Sequence, residues 1–337
     1  ATLTINGEPV MVEQAEVSYI GGDGDWYDPA NWSNGSVPGS NDDVTITSDN
    51  SDITITFSEG NPDVSSLSLF AENSGLLALS GLTNFEAGGN RDVSIQATGN
   101  GSNIDLSSVS DLSGGTGINE LFLEAIDGGT VNLSNLTDIT EGAASILADG
   151  TNSNIDLSSL TRFDENDAFD ESQINTLNGG TIETPSLDSL NGVSLIFNGS
   201  GSFDSTQITR INNGSVTADG TTPDLSSLNN FNGSSAFVNS GGTLNLPNLT
   251  NFEAGGNRDV SIQATGNGSN IDLSSVSDLS GGTGINELFL EAIDGGTVNL
   301  SNLTDITEGA ASILADGTNS NIDLSSLTRF DENDAFD

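Results

Sequence analysis

One spacing recurs along this chain and leaves few folds open to it: apolar-x-apolar-x-x-apolar-x-x-apolar. Leu77, Leu79, Leu82 and Phe85 form the first clear instance, and Ile104, Leu106, Val109 and Leu112 the next. Val131/Leu133/Leu136/Ile139 and Ile155/Leu157/Leu160/Phe163 follow. Weaker turns open at Ile182, Phe203 and Pro223, and the pattern returns in full at Leu244, Ile271, Val298 and Ile322. The openers are separated by 27, 27, 24, 27, 21, 20, 21, 27, 27 and 24 residues. A second apolar segment with a period of two precedes most openers, as in Val93-x-Ile95-x-Ala97 and Leu121-x-Leu123-x-Ala125, and period two denotes strand. Between that segment and the opener lie corners such as Asp127-Gly128-Gly129, Asn178-Gly179-Gly180, Gly199-Ser200-Gly201 and Ser240-Gly241-Gly242, where glycine supplies left-handed backbone.

Short strands, glycine corners and a period of 20–27 residues predict an all-β chain, a parallel β-helix (β-solenoid) with an N-terminal cap. A leucine-rich-repeat horseshoe shares the L-x-x-L spacing, but the Asn expected at its turn is missing and no helix-forming half is present. The predicted organisation is an N-terminal strand and cap segment over 1–43 and a β-helix over 44–337. Residues 82–170 recur without mismatch as 249–337, an offset of 167 residues that holds seven coils. The coil rhythm runs through both junctions, so the copy reads as a super-repeat inside a longer rod. Arrays of this kind serve span and multivalency more often than a single active site.

Composition narrows the function classes. Of 337 residues, 49 are acidic and five are arginines, with no Lys, His or Cys and a net charge of −44. Such a chain repels nucleic acid and anionic membranes and calls for counter-ions. Without Cys there is neither disulfide nor thiolate metal site. Without His, Lys or Cys, triads, Schiff bases and thiol chemistry are excluded. A paired-carboxylate hydrolase of polysaccharide is a remote alternative: the one adjacent Asp pair, Asp42-Asp43, sits in a strand, where neighbours face opposite sides. The expectation is that the chain is not an enzyme. Ala1 in place of Met is read as a removed signal peptide or a fragment boundary, and no apolar run approaches a membrane span.

Stacking turns each position of a coil into a column. After the openers stand Ala78, Asp105, Asn132, Asp156, Glu183, Asp204, Asp224, Asn245, Asp272, Asn299 and Asp323. Carboxylates one coil apart repel by about 1 kcal/mol at water's dielectric. The column is either a solvated acidic face or a line of bound cations, with Asn diluting the charge. A hydroxyl column runs through Thr83, Ser110, Thr137 and Thr161, and Arg162 falls one coil from Asp138, as Arg329 does from Asp305. The densest acidic segment, Asp164 to Glu171, offers Asp164, Glu165, Asp167 and Asp170, with Asp331 and Asp334 in its copy, as candidate calcium ligands; a solubilising corner is the competing reading. Gly21-Gly22-Asp23-Gly24-Asp25-Trp26 misses the calcium nonapeptide at Trp26.

The segment from Gly22 through Trp26, Asn31 and Trp32 to Val37-Pro38-Gly39 and Asp42-Asp43-Val44 resembles the G-x-W-x-x-x-x-N-W…VPG…DDV segment that precedes β-helical passenger-like regions of bacterial secreted proteins. Phrases such as Asp156-Leu157-Ser158-Ser159-Leu160-Thr161 resemble repeats of giant extracellular adhesin-like β-helix proteins. The resemblance covers roughly residues 21–337 and implies secretion, surface display and a scaffold or adhesive role; no catalytic residue carries over. It also implies that Trp26 and Trp32 cap the first coil. Residues 1–20 lie outside it. Thr2 to Ile5 and Val10 to Val12 read as strands around Asn6-Gly7, a hairpin that either completes the cap or pairs with a neighbouring molecule. The resulting expectation is a secreted structural rod or fibre at the cell surface or in the matrix, with neighbouring copies of itself as partner. The alternative is a calcium-dependent glycan-binding adhesin.

Overall fold

The computed structural model describes residues 4–5, 8–9, 15–88, 91–165, 172–256 and 258–331. The chain is a parallel β-solenoid of about 12 turns, with no α-helix among these residues. Each full coil runs through three short strands and so builds three faces. Face A stacks thirteen strands: Ala15–Ser18, Asp42–Asp49, Ser66–Glu72, Val93–Thr98, Glu120–Ile126, Ala143–Asp149, Ser172–Leu177, Val193–Phe197, Ser215–Asp219, Ser235–Asn239, Val260–Thr265, Glu287–Ile293 and Ala310–Asp316. Face B carries the openers, from Gly24–Asp25 to Asn321–Asp323, and face C the closing apolar residues, from Asn84–Gly88 to Arg329–Asp331.

The predicted register is the observed one. Leu77, Ile104, Val131, Ile155, Ile182 and Phe203 pair in succession along face B, all in parallel. Leu244, Ile271, Val298 and Ile322 form a second run. The break between the runs falls at Pro223, where the chain forms no strand. Proline has no N–H to give to a ladder, which is why it interrupts central sheet.

The four apolar positions of the motif point inward. Ile104, Leu106, Val109 and Leu112 are buried, as are their counterparts in the other coils up to Val298, Leu300, Leu303 and Ile306, except the partly buried openers Phe203 and Pro223. Burying each such side chain contributes about 1.5–3 kcal/mol. The corners use left-handed glycine as expected, at Gly128, Gly179, Gly199 and Gly241, but the second glycine of a pair has another task. At the corner after Glu120–Ile126 the left-handed residues are Asp127 (φ 51°) and Gly128 (φ 92°). Gly129 is needed for space, because a Cβ there would meet the carbonyl oxygen of Ala97 in the preceding coil. Gly180 and Gly296 are held in the same way against Ala148 and Ala264.

The stack begins earlier than the strand pattern around Val44 suggests. Ala15–Ser18 pairs in parallel with the strand containing Asp42 to Thr45, and Gly24–Asp25 with Ile55 and Thr56. Inside this first coil Trp26 and Trp32 are fully buried. Their rings meet edge-on at 4.5 Å, Tyr19 packs edge-on against Trp32 at 5.1 Å and Phe57 stacks on Trp26 at 5.4 Å. The Trp32 indole donates to the Trp26 carbonyl at 2.7 Å. Thr4–Ile5 pairs antiparallel with Glu8–Pro9, as expected of a hairpin around Asn6-Gly7. Residues 6 and 7, Thr2, Leu3 and Val10 to Val12 lie outside the described residues.

Candidate functional site

The polar chemistry of the described residues lies in columns along the three faces. On face B the acidic column runs in two stretches: in the first, Asp105 lies between Ala78 and Asn132, Asn132 pairs with Asp156, and Asp156 with Glu183. Asn245, Asp272, Asn299 and Asp323 form the second. What sequence reasoning missed is how these side chains are used. Asp105 Oδ1 accepts the backbone N–H of Ser107, and Asp156, Asp272 and Asp323 accept those of Ser158, Ser274 and Ser325, each at 3.0 Å. Asn132 and Asn299 do the same with Ser134 and Ser301 at 3.1 Å. Each is an Asx turn that starts the corner between faces B and C. The signal was present as Asp/Asn two residues before Ser. At Asp224 the hydrogen bonds from the Ser226 side chain and backbone hold the carboxyl below the usual carboxylate range.

The hydroxyl column is structural, as its position suggested. The Thr161 hydroxyl donates to the Thr137 carbonyl and that of Thr328 to Thr304, both at 3.1 Å. Arg162 meets Asp138 at 3.2 Å and Arg329 meets Asp305 at 3.1 Å, exposed pairs worth a few tenths of a kcal/mol.

The candidate calcium ligands divide. Asp164 Oδ1 accepts from the Asn191 amide of the next coil at 2.8 Å, while Glu165 is buried and its Oε2 accepts the Ser172 N–H at 3.0 Å. Asp331 is an exposed residue at the end of the last strand of face C. Asp167, Asp170 and Asp334 lie outside the described residues. Among the described residues no group of three acidic side chains is placed to hold a metal ion.

In the Gly21–Trp26 segment the carboxylates serve the chain itself. Asp23 Oδ1 accepts from Thr54 N at 2.8 Å, and Asp25 Oδ1 from Tyr27 N at 2.8 Å. The Tyr27 N–H is the main cause that depresses the Asp25 carboxyl, and Ser58 and Thr56 add to it. Asp42 and Asp43 part as expected. Asp42 accepts from Gly39 N, whereas Asp43 is buried between the Ser66 hydroxyl at 2.8 Å and Arg91 at 3.5 Å.

Face A has a different surface. Its central outward column reads Thr47, Phe70, Gln96, Glu124, Leu147, Asn175, Ile196, Thr217, Phe237, Gln263, Glu291 and Leu314, each paired with the next. Its two carboxylates are each bonded by a glutamine of the preceding coil, Gln96 to Glu124 and Gln263 to Glu291, both at 2.5 Å. Beside it, Gln173 donates to Ser145 at 2.8 Å and Ser215 to Ser194 at 2.7 Å. Where face A turns toward face B, a buried serine recurs. Ser102 Oγ donates to Thr98 O and accepts from Ser74 N, Ser153 does so with Asp149 O and Gly128 N, and Ser269 with Thr265 O and Gly241 N. These hydroxyls tie one coil to its neighbour inside the corner. Comparison with known protein families, curated proteins and solved structures found no match to the chain.

Proposed function

We propose that this chain is a structural repeat protein, a rod displayed outside the cell, at its surface or in the extracellular matrix. The observation that carries this reading is the use of polar groups. The Asx column, the hydroxyl column and the corner serines spend their hydrogen bonds on turns and on the adjacent coil. An active site or lectin pocket would instead aim such groups at a shared point. Coils stacked about 4.8 Å apart give thirteen face A strands an axial length of roughly 58 Å. The absence of His, Lys and Cys accords with a scaffold that has no catalytic task.

Electron micrographs and small-angle scattering of the purified protein test the reading. A rod of that length, or fibres of regular axial period, is the expected result; cleavage of an acidic polysaccharide would overturn it. The second reading, a calcium-dependent glycan-binding adhesin, draws on the acidic segment that begins at Asp164. A melting temperature unmoved by calcium, together with an empty glycan array, would remove it.

A further inference from the structure

We propose that face A is the contact surface of a two-fold dimer, in which a second copy of this chain lies antiparallel against the first. The proposal rests on the scaffold reading and names the surface through which the rods associate. Two copies that each carry a charge of −44 repel wherever faces B and C would meet, since both bear Asp columns. Along the middle of face A the outward carboxylates are few and already hydrogen-bonded, and the Ser and Gln ladder there is largely satisfied within the sheet. Covering it leaves few new unpaired polar groups, which is what normally opposes burial. Strands of four to eight residues stacked thirteen deep offer about 1,000 Å² per partner, against the roughly 800 Å² of a standard interface.

Two side chains stand out beside this face. Ile118 and Ile285 are 82% and 96% exposed, on the loops that lead into Glu120–Ile126 and Glu287–Ile293. Each lies four residues before an outward-facing phenylalanine, Phe122 or Phe289, so each loop and strand start together offer apolar surface at this face. Face A also has a hollow of about 300 Å³ at the starts of its later strands, lined by Ser215, Phe237, Arg258, Asp259, Ser261 and Phe289, where the Asp259 carboxylate accepts the Glu287 N–H at 2.9 Å.

The positions correspond. Ile118 precedes the fifth strand of face A, and the hollow spans the ninth to the twelfth. A two-fold axis along the strand direction, midway between the seventh and eighth strands, brings the fifth strand of one copy level with the tenth of the other. It also keeps strand starts against strand starts. Ile118 and Phe122 of one copy then face the hollow of its partner, an isologous, self-complementary contact.

The test is sedimentation of the whole chain at roughly 100 µM, well above a micromolar Kd, in about 0.5 M salt, where the screening length falls to about 4 Å. The expected mass is twice the 34.4 kDa of the chain. Ile118→Glu should halve it, whereas Asn154→Glu, which adds the same charge on face B, should leave the dimer intact. The Ile118 side chain is 82% exposed and Asn154 is only partly buried, so both variants should keep the wild-type circular-dichroism spectrum. Because the chain has no Cys, oxidised Ile118→Cys/Ser261→Cys should give a covalent dimer and neither single variant should. Within one chain those sites are six strands apart, about 29 Å, too far for a disulfide. A wild-type monomer, an Ile118→Glu dimer, or equal cross-linking by a single variant would overturn the proposal. A monomer that still sediments as an elongated rod defeats this interface alone, whereas a compact sphere defeats the scaffold reading as well.

Discussion

Asn132 donates its side-chain amide to Asp105 Oδ1 across one coil at 3.2 Å, and Asn299 repeats the bond to Asp272 at 3.0 Å. Asparagine thus does more than dilute the acidic column. It links two coils while its own Oδ1 still caps the turn to Ser134. Asn132→Asp keeps the turn acceptor, removes the donor and sets a third carboxylate between Asp105 and Asp156. The expected cost is about 1–2 kcal/mol at low salt. Thermal melts over a salt series check it: part of the loss should return as salt or divalent cations rise. A loss independent of salt would mean that the amide bond alone matters and that the column is well solvated.

Ser153 is buried and satisfies two groups at once, as donor to Asp149 O and as acceptor from Gly128 N. Ser153→Ala leaves the Gly128 N–H without that acceptor inside the corner. A destabilisation of about 1–3 kcal/mol is expected, measured by urea unfolding. Ser320→Ala, at the identical position of the second copy where the serine is only partly buried, should cost less.

Phe163 and Phe330 are the same residue of the super-repeat, yet Phe163 is 0% exposed and Phe330 is 49% exposed. Phe163→Ala should cost about 3–5 kcal/mol through lost burial and a cavity. Phe330→Ala should stay within about 1 kcal/mol, as for surface positions. Equal shifts in melting temperature would show that the last coil is covered in solution.

Acid should remove two local stabilising contributions. Asp25 and Asp224 are held below the ordinary carboxylate value by hydrogen bonds, Asp25 chiefly by Tyr27 and Asp224 by Ser226. A depressed folded pKa contributes stability that is present above the unfolded value of about 3.9 and is lost as pH falls through the folded value. The melting temperature should therefore fall as pH drops below about 4. Asp25→Asn should be less stable than the parent at neutral pH and converge with it in acid. Parallel pH profiles for the two proteins would contradict this assignment.

Much of the fold was legible in the letters. A buried position every two or three residues, repeated over 20–27, can be met only by strands wrapped into coils, so Leu77, Ile104 and Val131 had to stack, and they do. The aromatic pair Trp26 and Trp32 could likewise be assigned to the N-terminal coil. The surface was less legible. Asp105 reads as a charge in a column, but its bonds to Ser107 and Asn132 depend on a corner whose backbone path the letters do not display. The buried serines at 102, 153 and 269 carry the same polar letter as dozens of exposed ones.

The sequence by itself determined the coil and its register, because apolar burial is a local property repeated down the chain, whereas the missing strand at Pro223, counted among the weaker openers, emerged only in the fold. Only the tertiary structure decided what each identical residue experiences. Arg91 meets Asp43 and Glu16, whereas its copy Arg258 reaches the carbonyls of Asn213 and Gly214. Burial and bonding in a solenoid are set by the coils above and below, and those neighbours differ even where the letters are the same.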